Sequence, residues 1–314
     1  MILSTLDKSR KGGAYEQIPS LVLGQRWTPQ LNSRNMMKVV LCVWIEPYIE
    51  NDLSFCVWPV HTPTTSKEVL TLSASTSPLP YTGNKSCIVN TILSVMPKHT
   101  VYIDPCMGSA EVFFRKPRAE KEILNDYNGD LVNLFRVIQN NEKLAYLLGR
   151  LYLSINGELA FKQNKDRLKG VPNILDDVIE TSQIFYDASW EDIQNAAAFL
   201  ENQVYSFSST GQTFGIARRD MSQRLPRLMS AYNRIRDAII LHRDYKDVIT
   251  YAACPGSFIL LDPPYKGTED MYSKANFDIE QHDILFSFMS EVNQQHHGEV
   301  KFLITYNNDP YIRG

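Results

Sequence analysis

One apolar run in the last quarter of the chain ends in Asp262-Pro263-Pro264-Tyr265. Proline has no backbone N–H to give to a sheet ladder, so the run predicts a buried strand that stops at Asp262. These residue types suit methylation of an exocyclic amine. A carboxylate and a rigid main-chain carbonyl can accept the two amine hydrogens, and Tyr265 offers a face to a flipped base. The structural alternative is a proline turn that ends a strand, with the tyrosine in the core.

Two further carboxylates follow predicted strands nearer the N-terminus. Asp104 and Gly108 lie in the turn "DPCMGS", between the predicted strand "VYI" and the helix start "AEVFF". A glycine there lets the backbone approach a ligand, and the helix N-terminus offers free N–H groups. Asp126 follows the next predicted strand, where a carboxylate can accept hydrogen bonds from ribose hydroxyls. Asp126 could equally form an N-cap or an Asx turn for the helix that follows it.

Strands and helices that alternate along the chain must position these residues. The segments "VYI", "EIL", "SFILL" and "VKFLITY" predict strands, and helical patterns follow the first two. This order is typical of an α/β fold with a parallel sheet. We therefore expect Asp126 and Asp262 at the same sheet edge, around one cleft of cofactor size.

The middle of the chain, residues 151–250, is mostly helical in pattern and segregates its charge. Residues 205–243 carry seven arginines against Asp220 and Asp237, a local balance of +5. An amphipathic helix is predicted by apolar residues at helical spacing, namely Leu225, Leu228, Tyr232, Ile235 and Ile239. Taken alone, the arginines are typical of a solvated helix face.

The composition is that of a globular protein, with 314 residues, 44% of them hydrophobic and 21% charged. The net charge of -3 gives no global signal for nucleic acid, although an enzyme that contacts DNA through one face does not need one. Five cysteines without a CxxC pair argue against a disulfide framework or a zinc site. No apolar run near the N-terminus could span a membrane, and residues 1–30 lack a signal-peptide layout. We expect a cytoplasmic protein with no membrane segment and no metal.

Residues 1–80 differ from the rest of the chain. They contain polar, turn-rich stretches and two short apolar runs that could be strands, "MKVVLCVWI" and "LSFCVWP". We interpret this region as an accessory or poorly ordered N-terminal segment.

From Tyr81 onward the chain resembles the Dam-like class of N6-adenine DNA methyltransferases. "YTGNK" resembles the family's aromatic-x-Gly-Gly-Lys block, "IDPCMGSAEVFF" its Glu-Pro-Phe-x-Gly-x-Gly cofactor block, and "LLDPPY" its catalytic block. "EILNDYNGDLVNLFRVI", "FSSTGQTFG" and "KFLITYNNDP" also resemble family segments. The resemblance implies a Rossmann-like methyltransferase sheet, S-adenosylmethionine as methyl donor, and double-stranded DNA as the partner.

The resemblance also implies roles for individual residues. The implied cofactor-binding set is Tyr81, Gly83, Lys85, Asp104, Gly108, Asp126 and Asp262. The implied catalytic set is Asp262, Pro263, Pro264 and Tyr265. Within these sets, Asp126 would hold the ribose hydroxyls, Asp262 would bind the target amine, and Tyr265 would stack on adenine.

The domain division follows from the same resemblance. Residues 81–150 and 251–314 are expected to form the catalytic domain, and residues 151–250 a mostly helical target-recognition insertion. Contacts with the DNA backbone are then expected from Arg218, Arg219, Arg224 and Arg227, because phosphate neutralisation supplies most of the affinity for DNA. We expect the protein to act as a monomer.

The sequence departs from the family pattern at several points. Asn84 replaces a glycine, Asp104 and Cys106 replace Glu and Phe, and Ser109-Ala110 makes the glycine loop less open. The chain ends soon after "TYNNDP", where the family continues, so we expect a C-terminally truncated member. The main alternatives to adenine methylation are N4-cytosine methylation, which uses the same geometry, and a truncated, inactive remnant that only binds DNA. RNA or protein-glutamine methylation and a purely structural α/β protein also stay open.

Overall fold

The computed structural model describes residues 38–41, 44–45, 55–56, 76–176, 188–217, 219–265, 277 and 279–307. Its strands are β1 (Lys38–Leu41), β2 (Trp44–Ile45), β3 (Phe55–Cys56), β4 (Val101–Asp104), β5 (Lys121–Asn125), β6 (Ile239–Leu241), β7 (Ser257–Leu261) and β8 (Lys301–Asn307). Six of them form one sheet in the order β1-β8-β7-β4-β5-β6. The five strands from β8 to β6 are parallel, and β1 pairs antiparallel with β8. The predicted α/β fold with a Rossmann-like parallel sheet is confirmed.

Nine helices accompany these strands in the described residues. They are α1 (Val89–Val95), α2 (Glu111–Arg115), α3 (Gly129–Gln139), α4 (Asn141–Tyr152), α5 (Glu158–Lys169), α6 (Trp190–Tyr205), α7 (Leu225–Ile235), α8 (Tyr245–Ala252) and α9 (Ile279–Gln295). In this part of the chain, no helix combines the length and apolar character that crossing a membrane requires.

Both faces of the sheet are buried, as expected for a parallel sheet. Successive side chains of a strand point to opposite faces, so Tyr102 and Ile103 of β4 enter two different cores. The core around Tyr102 also contains apolar side chains of α2 and α3. The core around Ile103 contains apolar side chains of α8 and α9. Two apolar layers therefore hold the sheet rigidly and fix where its strands end.

Helix α6 lies at the centre of the helical part of the chain, where it packs against α3, α4 and α5. Its start is set by a capping box. The Ser189 hydroxyl accepts from the Asp192 N–H at 3.1 Å, and the Asp192 carboxylate accepts from the Ser189 N–H at 2.7 Å. Such reciprocal caps satisfy backbone donors that the first helical turn leaves unpaired.

The predicted amphipathic helix was wrong at its C-terminal end. Helix α7 ends at Ile235, and Ile239 begins β6, which pairs with β5. The run Ile239-Ile240-Leu241 is β-branched and apolar, and pairing beside β5 overrides its helical spacing. The arginines of this helix are also not uniformly exposed. Arg234 is buried and binds Glu122 with two nitrogens, at 2.5 and 2.8 Å.

Part of the N-terminal segment contributes to the fold. The predicted strand in "MKVVLCVWI" is confirmed as β1, whose Lys38 lies opposite Asn307 of β8. "LSFCVWP" contains the short strand β3, which pairs antiparallel with β2. The remaining residues of the segment 1–75 lie outside the described residues, so the interpretation of residues 1–80 as an accessory segment stays a prediction.

Candidate active site

Three carboxylates meet at one edge of the sheet. Asp104 ends β4, Asp126 follows the last residue of β5, and Asp262 follows the last residue of β7. These three strands are parallel neighbours, so their carboxyl ends lie side by side. All three aspartates line one cleft of about 1060 Å³. The expectation that Asp126 and Asp262 share a sheet edge and a cleft is confirmed.

The cleft also collects most of the other predicted site residues. Tyr81, Gly83, Lys85 and Gly108 line it together with the three aspartates. Within the "DPPY" motif, Asp262 and Pro264 line the cleft, whereas Pro263 and Tyr265 are buried. The Tyr265 ring packs 6.0 Å from the ring of Tyr306, centroid to centroid.

Asp262 is held by three side chains. Its Oδ1 accepts from the Tyr265 hydroxyl at 3.0 Å and from the Thr305 hydroxyl at 2.5 Å. Its Oδ2 contacts the Lys85 ammonium, which also donates to the Gly83 carbonyl at 2.9 Å. Lys85 was predicted to contact the cofactor, and the structure places its ammonium on the Asp262 carboxylate. These donors fix the orientation of Asp262.

Asp104 is buried with only half of its hydrogen-bonding capacity used. Its Oδ2 accepts from the Tyr102 hydroxyl at 2.9 Å, and among the described residues no donor reaches Oδ1. Burial raises the pKa of Asp104 to about 8, and the nearby carboxylates of Asp262 and Asp126 add to this rise. A buried acceptor without a donor, at the wall of a cleft, fits a ligand that brings a cation or an N–H group.

Asp126 joins the two loops that follow β4 and β5. Its Oδ1 accepts from the Asn128 N–H at 2.9 Å, which is the Asx turn left open as an alternative. Its Oδ2 accepts from the Gly108 N–H at 3.0 Å, where Gly108 has a φ of +47° that favours glycine. Burial raises the pKa of Asp126 to about 6. Each carboxylate oxygen has a second lone pair, so the turn and a ligand contact are compatible.

The loop after β4 holds a residue with a Cβ in a left-handed conformation. Ala110 adopts a φ of +54°, a left-handed conformation that costs a residue with a Cβ roughly 1–2 kcal/mol. The packing of the loop therefore holds at Ala110 a backbone that glycine would adopt without strain. Cys106 also lines the cleft, and burial raises the pKa of its thiol well above the ordinary value.

Sequence reasoning missed two residues that position the carboxylates. Tyr102 stands two residues before Asp104, so both point to the same face of β4, and this spacing could have revealed the contact. Thr305 follows Ile304, the residue opposite Leu261 in the β7–β8 register. The sequence alone does not give this register, because the strands are joined through the long helix α9.

Three of the four arginines predicted to bind DNA lie in the described part of the chain, and Arg218 lies outside it. The Arg219 guanidinium donates to the Val204 carbonyl. Burial lowers the pKa of Arg224, and the charges of Arg227 and Arg219 lower it further, so the three cations lie close together. In the described residues no carboxylate forms an ion pair with any of them, and this leaves an unneutralised positive surface.

Among the described residues, no group of three His, Cys, Asp or Glu side chains is arranged to hold a metal ion.

A comparison with models of protein families assigns the part of the chain that forms the cleft to a family. Residues 81–314 match the model of the D12 class N6 adenine-specific DNA methyltransferases. The chain belongs to this family. The match begins at Tyr81 and includes the three strands whose ends carry the cleft aspartates. The part of the chain that matches the D12 class is therefore the part that forms the site.

Individual relatives of this D12-class chain agree in name. It is 25% identical over 250 residues to the DNA N-6-adenine-methyltransferase of Escherichia phage P1. This alignment covers 74% of the present chain and 30% of the relative. It is 21% identical over 240 residues to Modification methylase LlaI of Lactococcus lactis subsp. lactis (71% and 36%) and 25% identical over 247 residues to Modification methylase StsI of Streptococcus sanguinis (73% and 35%). The matched part spans about a third of the length of these relatives.

Proposed function

We propose that this chain is the catalytic part of a site-specific DNA methyltransferase that transfers a methyl group from S-adenosylmethionine to N6 of a flipped adenine in double-stranded DNA. The observation that carries the proposal is the convergence of Asp104, Asp126 and Asp262 in one cleft. Membership of the D12 class supports adenine over cytosine as the target base. The names of two relatives support a role as a modification methylase.

The cleft residues fit S-adenosylmethionine. Asp104 Oδ1 is a buried acceptor that no donor reaches within the described residues, which suits a cationic group of the cofactor. Asp126 keeps a lone pair on each carboxylate oxygen for the ribose hydroxyls. Tyr81, Gly83 and Gly108 complete this half of the cleft wall. When bound, S-adenosylmethionine supplies a methyl group on a positively charged sulfur, which makes that carbon electrophilic.

The chain's own residues prepare the target amine. Asp262, oriented by Tyr265 and Thr305, accepts one amine hydrogen, and the carbonyl of Pro264 accepts the other. Two acceptors on one nitrogen favour its pyramidal, more nucleophilic form in the transition state. Pro263 has no N–H and stiffens the loop that carries the Pro264 carbonyl. Tyr265 is buried outside the cleft lining, so we assign it to holding Asp262 through its hydroxyl and not to the predicted stacking on adenine.

The helical part of the chain holds the DNA. We assign target recognition to the helical part of residues 151–250, catalysis to residues 81–150 and 251–314, and an accessory role to residues 1–80. Strand β6 and most of helix α8 lie within 151–250 but belong to the sheet and its core, so they are part of the catalytic framework. Arg218, Arg219, Arg224 and Arg227 contact phosphates, because neutralising the DNA backbone supplies most of the affinity. For Arg219, Arg224 and Arg227, DNA binding breaks no ion pair within the described residues. The enzyme acts in the cytoplasm and as a monomer, the latter testable by light scattering with and without DNA.

Transfer of labelled methyl from S-adenosylmethionine to unmethylated plasmid DNA tests the proposal. The DNA is digested to nucleosides after the reaction, and the labelled nucleoside is identified. The expected product is N6-methyladenine. N4-methylcytosine would instead support the cytosine alternative, and DNA binding by folded protein without any transfer would support the inactive remnant.

A further inference from the structure

An exposed apolar corner lies at one end of the helical part. Leu153 and Ile155, in the loop between α4 and α5, are 75% and 74% exposed, and Ile216 is 97% exposed. Side chains of this kind usually contact a partner when several lie together on a surface. We call Leu153, Ile155 and Ile216 the apolar corner.

Hydrogen bonds hold the two segments of the apolar corner side by side. The Ser154 hydroxyl lies 3.0 Å from the Tyr205 hydroxyl, and the Asn156 side-chain amide donates to the Arg219 carbonyl at 3.4 Å. Gly215 packs directly on the backbone of residues 205–207, where a Cβ would approach three backbone atoms to 3.2 Å. The backbone at Ile216 therefore lies beside the end of α6, near the loop that carries Leu153 and Ile155.

The apolar corner adjoins the mouth of the cleft. Phe207, which follows α6, is exposed and lines the cleft, and the Gly215 N–H donates to the Tyr205 carbonyl at 2.7 Å. The same loop is tied to the cofactor side of the cleft, because the Thr82 hydroxyl donates to the Ser209 carbonyl at 3.1 Å. A partner that covers the corner thus lies next to the entrance through which a base reaches Asp262.

Positive charge flanks the apolar corner. Arg219 is part of the chain segment that Asn156 contacts, and Arg224 and Arg227 lie close to Arg219. The nearby Asp220 uses its carboxylate to cap the turn at Ser222. Apolar side chains beside a group of cations that form no ion pair within the described residues match DNA, in which phosphates lie next to a stack of bases.

We propose that the apolar corner is a wedge that enters the DNA duplex beside the target adenine, while the three arginines hold the adjacent phosphates. This inference rests on the proposed function and extends it to the step that opens the base stack. Apolar side chains that separate base pairs lower the cost of extruding a neighbouring nucleotide. A second copy of the chain fits the corner less well, because a twofold contact would place the same arginines against each other.

The test compares Ile155→Ser/Ile216→Ser with Trp190→Ser in the full chain. Trp190 is also exposed and apolar, but it begins the helix that Tyr205 ends, about 22 Å away at 1.5 Å per residue. Exposed residues are replaced in both variants, so folding is retained, and circular dichroism confirms it. The positions that the wild type methylates in plasmid DNA define the duplex used for the kinetic measurements.

The wedge predicts that Ile155→Ser/Ile216→Ser lowers kcat/KM at least about tenfold on a matched duplex, whereas Trp190→Ser does not. A mismatch opposite the target adenine lowers the unstacking cost and should restore most of the loss. The salt dependence of binding should stay unchanged, whereas Arg227→Gln should reduce its slope by about one.

Equal activity of the double variant and Trp190→Ser would overturn the wedge, and so would a loss that the mismatch does not rescue. A change in molecular mass by light scattering would instead identify the corner as a contact between copies. If the wild type transfers no methyl group, the proposed function fails. The wedge proposal is then tested by the affinity of the protein for DNA alone. It then requires the double variant to lose more affinity for the matched duplex than for the mismatched one.

Discussion

The ammonium of Lys85 directly contacts Oδ2 of Asp262, although the two residues lie in different sequence blocks. Their side chains are only 7% and 24% exposed. The contact joins the "YTGNK" block to the "DPPY" block and orients the carboxylate proposed to receive the target amine. Lys85 therefore belongs as much to the catalytic end of the cleft as to the cofactor end.

Replacing Lys85 with Met should lower the free energy of unfolding by about 1–3 kcal/mol. The change leaves the Asp262 carboxylate largely buried with only hydroxyl donors. Urea denaturation of Lys85→Met, Asp262→Asn and the double variant measures the coupling. If the losses of unfolding free energy in the two single variants add up to the loss in the double variant, the Lys85–Asp262 contact contributes nothing to stability. Residues that interact directly show a coupling energy of roughly 0.5–3 kcal/mol.

Cofactor binding should release a proton near pH 7. Burial raises the pKa of Asp104 to about 8, with Asp126, Asp262, Lys85 and Tyr102 as its charged and polar neighbours. The folded protein thus keeps on Asp104 a proton that the unfolded chain loses near pH 4. The protonated Asp104 therefore contributes fully to the free energy of unfolding below about pH 4, and this contribution is lost as the pH rises from there through about 8. A cationic ligand favours the ionised form, and its affinity should therefore increase from pH 6 to pH 8.

Calorimetry of S-adenosylmethionine binding at pH 7, in phosphate and in Tris, measures this proton. The two buffers have different ionisation enthalpies, so a released proton makes the observed binding enthalpies differ. Asp104→Asn serves as the control, because it cannot release a proton. Equal enthalpies in both buffers for the wild type would contradict the role given to Asp104.

Tyr102→Phe should raise the KM for S-adenosylmethionine several-fold and leave kcat nearly unchanged. The variant keeps the buried ring but removes the hydroxyl that donates to Asp104, a bond worth about 1 kcal/mol. Steady-state kinetics with saturating DNA separate the two parameters. A fall in kcat at constant KM would assign Tyr102 to the transfer step instead of to cofactor positioning.

Glu122→Gln should destabilise the fold by about 3–5 kcal/mol, because it leaves the buried cations of Lys116 and Arg234 without a counter-charge. Although burial alone would raise the pKa of Glu122, hydrogen bonds from Arg234 and Lys116 hold it below its ordinary value. This contribution is present above the unfolded pKa near 4.5 and is lost as the pH falls through the folded value. Denaturation at pH 7 checks the first effect, with the exposed Glu158→Gln as control, and a pH series checks the second.

The sequence predicted correctly those site residues whose position is determined by the end of a strand. Asp104, Asp126 and Asp262 each follow an apolar run, and parallel strands bring such positions together. The Lys85–Asp262 contact depends on side-chain packing between distant segments, which one sequence does not specify. Ile239 was misassigned for a related reason, because pairing with β5 outweighs a helical pattern that continues past Ile235.

The central claim is that Asp262 acts in methyl transfer itself, and a single-turnover experiment with Asp262→Asn tests it most directly. Wild type and variant, each saturated with labelled S-adenosylmethionine and DNA, are compared with Asp166→Asn, an exposed carboxylate on α5. We predict that Asp262→Asn still binds cofactor and DNA but forms N6-methyladenine at least about a hundredfold more slowly, whereas Asp166→Asn matches the wild type. Wild-type transfer rates for a folded Asp262→Asn would contradict the account.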